Sequence, residues 1–400
     1  MSWPEAEFED LYASPSKNGL TRPARVRGAV CKMINMGELF ANDRIVNIDM
    51  ERVPMNEREL ANMLVEKGDL LFARQSLVLA GAGKCSLVRE IEEPTTFESH
   101  IIRIRLNRER ANPEFYHYYF KSPACRIKSI VTQGVQAGIR GNDLKKLKVH
   151  VPPLREQDCI ASILSSYDDL IENNRRRIQL LERSARLLYE EWFVQLRFPG
   201  YEHVKIINGV PYRWGKKSLG ELCKEGRESV LPESLEPDTP YIGLEHMPRR
   251  SISLNGWGKA EQVTSSKHRF REGDIIFGKI RPYFHKVGIA FVDGVASSDA
   301  IIIRPLDDYL RAFILMTVSS DGFVAVTAQT MKEGSKMPRA DWKQMQQYSV
   351  SVPPEGLLRA FNSVIESAIK QLKTLSLAIR KIVMARDLLM PRLMNGEFEI

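Results

Sequence analysis

The chain has 400 residues, 43% of them hydrophobic and 27% charged, which suits a globular protein of two or three domains and excludes disordered and fibrous classes. Fifty-eight Lys and Arg against 50 Asp and Glu give a net charge of +8, a balance compatible with a polyanionic partner. The five cysteines (Cys31, Cys85, Cys125, Cys159 and Cys223) are odd in number and widely spaced, with no Cys-x-x-Cys pair, which argues against a disulfide framework or a zinc knuckle.

In chain order, Met1-Ser2-Trp3-Pro4-Glu5-Ala6-Glu7 is not a basic segment followed by an apolar run. Nowhere do eighteen apolar residues follow one another, so a cytoplasmic protein without a membrane span is expected. Lys17, Arg22, Arg25 and Arg27 form a basic run suited to phosphates, or simply to solvation. A helix is predicted over Asn56 to Glu66. Gly68-Asp69 reads as a turn feeding a short buried strand, Leu70 to Arg74, and Ile101 to Leu106 alternates as a half-buried strand should. Gly81-Ala82-Gly83-Lys84 has the tail of a phosphate-binding loop. However, Val78 stands where the earlier glycine is required, and Cys85 replaces the magnesium-binding Ser or Thr. Pro113 to Lys121 is predicted helical, and its Phe115, Tyr116, Tyr119 and Phe120 suit a core face better than a base-stacking one.

Val151-Pro152-Pro153-Leu154 reads as a strand end and a forced turn into a helix, since paired prolines cannot sit inside one. Beyond it, Ile160, Leu164, Tyr167, Ile171, Asn174, Ile178, Leu181, Ala185, Leu188 and Trp192 recur at steps of four and three. The stripe is narrow, and the residues between are charged, so a rod about 50 Å long is predicted that needs a partner along its length. A long helix packed on a single domain is the simpler alternative. Phe198-Pro199-Gly200 and Asn208-Gly209-Val210-Pro211 then open a new domain.

That domain echoes the first. Glu272-Gly273-Asp274-Ile275-Ile276-Phe277 repeats Lys67-Gly68-Asp69-Leu70-Leu71-Phe72, Ile301-Ile302 repeats Ile101-Ile102, and Val352-Pro353-Pro354 repeats the earlier phrase, each about 200 residues on. A second seam follows in Leu358, Phe361, Ile365, Ala368, Leu372, Leu375, Ile379 and Ile382. The fold class expected is α+β: globular mixed domains over 1–150 and 198–350, with helical spacers over 151–197 and 351–400. The spacers would form an antiparallel intramolecular coiled coil, in a duplicated, pseudo-twofold chain.

Catalytic constellations are missing from the sequence. The seven histidines form no pair at metal spacing, there is no Gly-x-Ser-x-Gly elbow, and no Gly-x-Gly-x-x-Gly opens a helix. Pro-Pro occurs only in Val-Pro-Pro, without the flanking Asn or Asp and aromatic with which an amino-methyltransferase holds a flipped base. Basic and amide side chains in predicted loops remain as recognition candidates. In the first copy these are Arg74, Gln75, Lys84, Gln133, Gln136 and Arg140; in the second, Lys279, Arg281, Tyr283, His285, Lys286, Gln329, Lys332 and Lys336. Arg and Lys read guanine edges or hold phosphates, and Gln pairs with adenine, although any of them can be a solvated loop residue.

Taken together, the chain resembles the specificity subunit of type I restriction-modification systems. The likeness rests on Val151-Pro152-Pro153-Leu154-Arg155-Glu156-Gln157, on Glu191-Trp192-Phe193 with Phe198-Pro199-Gly200, on Trp214-Gly215-Lys216-Lys217-Ser218-Leu219-Gly220-Glu221, and on Leu388-Leu389-Met390-Pro391-Arg392-Leu393-Met394-Asn395-Gly396-Glu397. Glu355-Gly356-Leu357 departs from the usual continuation of the second Val-Pro-Pro. The resemblance implies two target-recognition domains, each reading half of a bipartite double-stranded DNA site, with the helices as spacer. It further implies two methyltransferase subunits docked on the helices and restriction/translocase subunits joining them. S-adenosylmethionine, ATP and magnesium would belong to those partners, and this chain would carry no cofactor and no catalysis. A coiled-coil scaffold with two protein-binding domains is the rival reading, and a standalone DNA-modifying enzyme a third.

Overall fold

The computed structural model describes residues 3–23, 28, 30–134, 136–329 and 338–398. Both Val-Pro-Pro phrases act as the sequence predicts. The strand Lys148–His150 stops before the prolines, and the central helix runs from Leu154 to Tyr189, with the Pro153 carbonyl accepting from the Glu156 and Gln157 amides. The strand Ser349–Val352 likewise leads into a 40-residue C-terminal helix, Glu355–Met394, whose first amides bond the Pro354 carbonyl. A short π-helical segment, Glu190–Val194, extends the central helix. By compactness the chain divides into one unit of Met1–Leu170 with Ile382–Ile400 and another of Ile171–Lys381.

The first unit is built on a five-stranded sheet. Its strands are β1 (Tyr12–Asn18), β2 (Arg44–Ile45), β3 (Leu70–Ala73), β4 (Cys85–Val88) and β5 (Ile101–Leu106), in the order β1-β5-β3-β4-β2. All pairings are antiparallel except β4 with β2. The Gly68-Asp69 turn enters β3 with Gly68 at φ +94°, where a side chain would be strained. Asp69 is buried and receives Arg105 of β5 through Nε and Nη2, each at 2.8 Å, so the turn is clamped to the neighbouring strand. The predicted aromatic helix, Pro113–Lys121, covers the sheet. Phe8, Phe72, Tyr116 and Phe120 meet with ring centroids 4.8–6.1 Å apart, mostly edge to face, each pair adding about 0.5–1.5 kcal/mol beyond its buried area.

One predicted helix is shorter than expected. Glu57–Asn62 ends before the predicted Glu66, because tertiary pairing captures the next residues: the Val65 amide bonds the Thr95 carbonyl, and Arg103 donates to the Leu64 carbonyl at 2.6 Å. Where the unit meets its helical segments, Ile160, Ala161 and Leu164 share a buried cluster with Leu393 and Met394. Across the same segments Arg386 pairs with Asp168.

In the second unit, β6 (Cys223–Gly226), β7 (Ser253–Leu254), β8 (Ile275–Gly278), β9 (Val287–Ala290) and β10 (Ala300–Pro305) pair in the order β6-β10-β8-β9-β7. Position for position this is the strand order of the first unit, again with one parallel pair, β9 with β7. The turn recurs as well: Gly273 has φ +86°, and buried Asp274 takes Arg304 of β10 at 2.8 and 2.6 Å. The helical seam is buried here too. Ile178 and Ala185 lie in one cluster with Leu358, Phe361, Ile365, Ile369, Leu372 and Leu375, with Leu181, Leu188, Trp192 and Ile379 packed against it. Trp192, at the end of the first rod, meets Phe361, at the start of the second, with centroids 5.7 Å apart. Ile369 is buried more deeply than the predicted Ala368 beside it. Polar Asn174 is buried on the seam at 5% exposure, and Ile171 at 3%. Tyr167 is half-buried, as is Ile382, where the seam passes toward the Arg386 pairing.

Candidate nucleic-acid interface

The residues proposed for recognition in the first unit converge on a small sheet. Gln75–Ser76 pairs with Ala137–Gly138, which pairs in turn with Thr132–Gln133, all antiparallel. Arg74, Gln133, Gln136 and Arg140 are exposed on or beside this sheet, and Gln75 is half-buried. The close pairing needs a glycine: a Cβ on Gly138 would stand 2.9 Å from the Arg74 carbonyl oxygen, which already accepts the Ile139 amide at 2.9 Å. Neither 74–84 nor 126–140 contains an acidic residue, whereas Arg74, Lys84, Arg126, Lys128 and Arg140 are basic. The combination of amides on a strand edge with the exposed cations Arg74 and Arg140 matches what base edges and phosphates require.

Lys84 is differently employed. Its ammonium donates to the Phe40 carbonyl at 2.7 Å and pairs with Asp43 at 3.1 Å, and Lys121 reaches the same carboxylate at 2.7 Å. Burial alone would raise the Asp43 pKa, but the two lysines outweigh it and hold the carboxyl well below the usual range. Lys84 therefore ties down the base of the loop between β3 and β4 and is not free to bind a ligand.

That loop carries a feature the candidate residues did not include. Leu77, Val78 and Leu79 are 86%, 63% and 51% exposed in succession. Behind them the backbone is braced: the Ser76 hydroxyl accepts the Val78 amide at 3.2 Å, and Lys128 donates to the carbonyls of Ala80 (2.8 Å) and Ala82 (3.2 Å). The signal is legible in the sequence, an apolar triplet standing between a strand and the paired glycines, and the partial phosphate-loop pattern of Gly81–Lys84 masks it.

In the second unit the matching connection, between β8 and β9, holds Lys279, Arg281, Tyr283, His285 and Lys286. The Lys279 carbonyl accepts the Ala340 amide at 2.9 Å, the counterpart of the Arg74–Ile139 bond, and its ammonium donates to the Ser298 carbonyl at 3.0 Å. Arg281 and His285 both adopt left-handed backbone, φ +49° and +55°, on either side of the 3-10 turn Pro282–Phe284. Each costs on the order of 1–3 kcal/mol for a residue with a Cβ, so the surrounding fold must hold the turn in place. His285 provides part of that hold. Its ring is 2% exposed, and Nε2, facing the Ser319 carbonyl at 2.7 Å, must carry the proton and donate; Nδ1 lies 3.4 Å from Asp321. Burial lowers its pKa, and the ring is neutral at pH 7.

Lys286 donates to the Leu244 carbonyl at 2.5 Å. His285 and Lys286, like Lys84, are thus turned into the fold rather than toward a ligand. Tyr283, by contrast, stands 53% exposed, edge-on to Phe284, and Phe284 is covered by the guanidinium of Arg249 at 4.0 Å. Gln329 is exposed at the end of the helix Asp321–Gln329. Lys332 and Lys336 lie outside the described residues, as do Arg25 and Arg27. Lys17 donates to the Asn62 carbonyl at 2.9 Å, and Arg22 pairs with Glu59 at 2.6 Å, so both are anchored locally.

Among the described residues no group of three or more His, Cys, Asp or Glu is placed to hold a metal ion, and no single helix is long and apolar enough to cross a membrane. The family described as "Type I restriction modification DNA specificity domain" matches residues 30–183. The type I restriction enzyme MjaIX specificity subunit of Methanocaldococcus jannaschii is 21% identical over 373 residues, covering 89% of this chain and 85% of that one. The EcoDI specificity subunit of Escherichia coli is 24% identical over 314 residues, covering 71% and 68%. Among solved structures, the type I restriction-modification S subunit from M. genitalium shares the fold at a TM-score of 0.61 with 16% identity, covering 98% of this chain and 96% of that one. The matched family model, the named relatives and the solved structure that shares the fold are all of one kind, and what this chain is similar to is the type I restriction-modification specificity subunits.

Proposed function

We propose that each globular domain reads one half of a bipartite double-stranded DNA target, and that the central and C-terminal helices, packed antiparallel as one coiled coil, set the spacing and rotational phase of the halves. The observation that carries this reading is the small sheet that gathers Arg74, Gln75, Gln133, Gln136 and Arg140 in the first unit from segments without acidic residues, with its counterpart on the β8–β9 connection of the second. A rigid spacer converts two short readouts into one long site, because DNA advances a turn in about 34 Å. The chain acts without catalysis of its own. Two methyltransferase subunits dock on the helices, restriction/translocase subunits join them, and S-adenosylmethionine, ATP and magnesium are bound by those partners.

The test is DNA binding by the purified chain, alone and with its partner subunits, at rising salt. With six to ten phosphate contacts, affinity falls about 10³- to 10⁵-fold between 50 and 200 mM salt. A salt-insensitive interaction would favour the protein-binding scaffold instead, and methyl transfer to DNA by the chain alone would contradict the non-catalytic role.

A further inference from the structure

The connection between the two central antiparallel strands ends in an exposed apolar tip in both units. In the first it is Leu77, Val78 and Leu79 leading into the 3-10 turn Leu79–Gly81; in the second it is Tyr283, within the 3-10 turn Pro282–Phe284. A run of three consecutive solvent-exposed apolar side chains opposes folding and solubility unless something covers it. Neither tip is slack. Lys128 and Ser76 brace one, while the left-handed pair Arg281 and His285, fastened by Ser319, braces the other. Within the segments themselves the charge is one-sided, since 74–84 and 279–286 contain no Asp or Glu, and the second holds Lys279, Arg281 and Lys286 within eight residues; the nearby carboxylates, Asp43 and Asp321, face Lys84 and His285 at the base. A rigid apolar point whose own segment offers cations and neutral polar groups but no carboxylate suits a stacked polyanion better than a protein surface of mixed charge.

We infer that the two tips are wedges that enter the base stack of the DNA, an aliphatic one in the first half of the target and an aromatic one in the second. This rests on the DNA-recognition reading and adds a mode to it: the tips would pry open a base step and so favour easily unstacked pyrimidine–purine steps, giving preference at positions where no hydrogen bond is made. The tips differ in shape while the strands that carry them do not, so the two halves would differ in the step they accept.

The experiment begins with selection of duplexes from a random pool by the full chain in its complex with partner subunits. The selected duplex is then remade with 2-aminopurine, whose fluorescence rises on unstacking, at successive positions. The expected result is a several-fold rise at one step in each half. Leu77→Ser/Val78→Ser/Leu79→Ser abolishes the first rise and Tyr283→Ser the second, each lowering affinity about tenfold while leaving the salt slope unchanged, because no phosphate contact is lost. All four side chains are exposed, and unchanged melting temperatures confirm that the variants fold. Failure to enrich any duplex would remove the DNA reading and the wedges together. Salt-dependent, sequence-selective binding without a rise, or with a rise that survives the substitutions, would overturn the wedges alone. So would loss of a protein subunit from the serine variants with the fluorescence retained.

Discussion

Replacing Arg386 by alanine should destabilise the first unit by about 3 kcal/mol at pH 7. Arg386, on the C-terminal helix, and Asp168, on the central helix, have side chains 17% and 9% exposed, with Nη1 2.5 Å from Oδ1. The other carboxylate oxygen accepts the hydroxyl of buried Tyr118 at 2.7 Å. Burial pushes the Asp168 pKa up, but Tyr118 and Arg386 outweigh it and the carboxyl ionises below its ordinary range. Losing one member of a buried pair costs about 3–5 kcal/mol, and water reaching the edge of this one places it at the lower end.

Asp168→Ala should cost less, about 2 kcal/mol, because Arg386 keeps Asp387 at 2.7 Å on the exposed side. The double replacement Asp168→Leu/Arg386→Met should return to within about 1 kcal/mol of the parent, since no charge is left buried. Urea unfolding followed by fluorescence and amide exchange within residues 1–170 measures all three. The pH dependence supplies a second check. In the parent the depressed carboxyl contributes stability that is present above its unfolded pKa, about 3.9, and lost as pH falls through the folded value. Without Arg386 the buried carboxyl keeps the lowering by Tyr118 but loses that of the guanidinium, so its folded pKa rises and the gap between parent and variant should shrink as pH falls through the carboxylate range. A cost under 1 kcal/mol for Arg386→Ala, or a gap that does not change with pH, would refute the reasoning.

Replacing Lys279 and Arg281 by alanine should relax preference in one half of the target only, by about 1–3 kcal/mol per lost base contact, and replacing Arg74, Gln75 and Gln136 should act on the other half; selection from random duplexes reads both. Deleting one heptad from each helix, about 10 Å of rod, should change the tolerated gap or abolish binding while each half keeps its sequence. His117 is fully buried with neither ring nitrogen hydrogen-bonded, and burial, reinforced by Lys121, lowers its pKa to about 3. Below about pH 6.5 the unfolded ring binds a proton that the folded ring refuses, so stability is lost as pH falls from 6.5 toward 3, by up to about 1.4 kcal/mol per unit. His117→Phe should flatten that slope in urea titrations between pH 6 and 4.

Both long helices were legible in the sequence because burial on a rod obeys a fixed period, and a stripe such as Leu358, Phe361, Ile365 and Leu372 has no other simple explanation. The Gly-Asp turns were legible for a local reason, a left-handed glycine before an apolar run. What made each turn stable was not: Arg105 and Arg304 come from strands 36 and 30 residues away in sequence, and a charge inside an alternating strand is normally read as solvent-facing. The candidate site shows the same limit. Gln75–Ser76 and Ala137–Gly138 are far apart in the chain and bring the candidates beside them together only as two-residue strands, too short to announce themselves by pattern.

Side-chain chemistry also misled at Lys84, His285 and Lys286, because an ammonium or imidazole that can hold a phosphate can equally hold a backbone carbonyl. The connection between the central strands must fold on itself in both units, and each solves this with internal cations facing inward: Lys84 to Phe40 and Asp43, Lys286 to Leu244. Those contacts fix the base of the loop and leave its tip free to vary, Leu77–Leu79 in one unit and Tyr283 in the other. A change at the base would disturb folding, and a change at the tip only what the tip meets. Substitutions that alter specificity without altering stability should therefore concentrate at 74–79 and 281–284, whereas Lys84→Ala and His285→Ala should lower stability before they alter any preference.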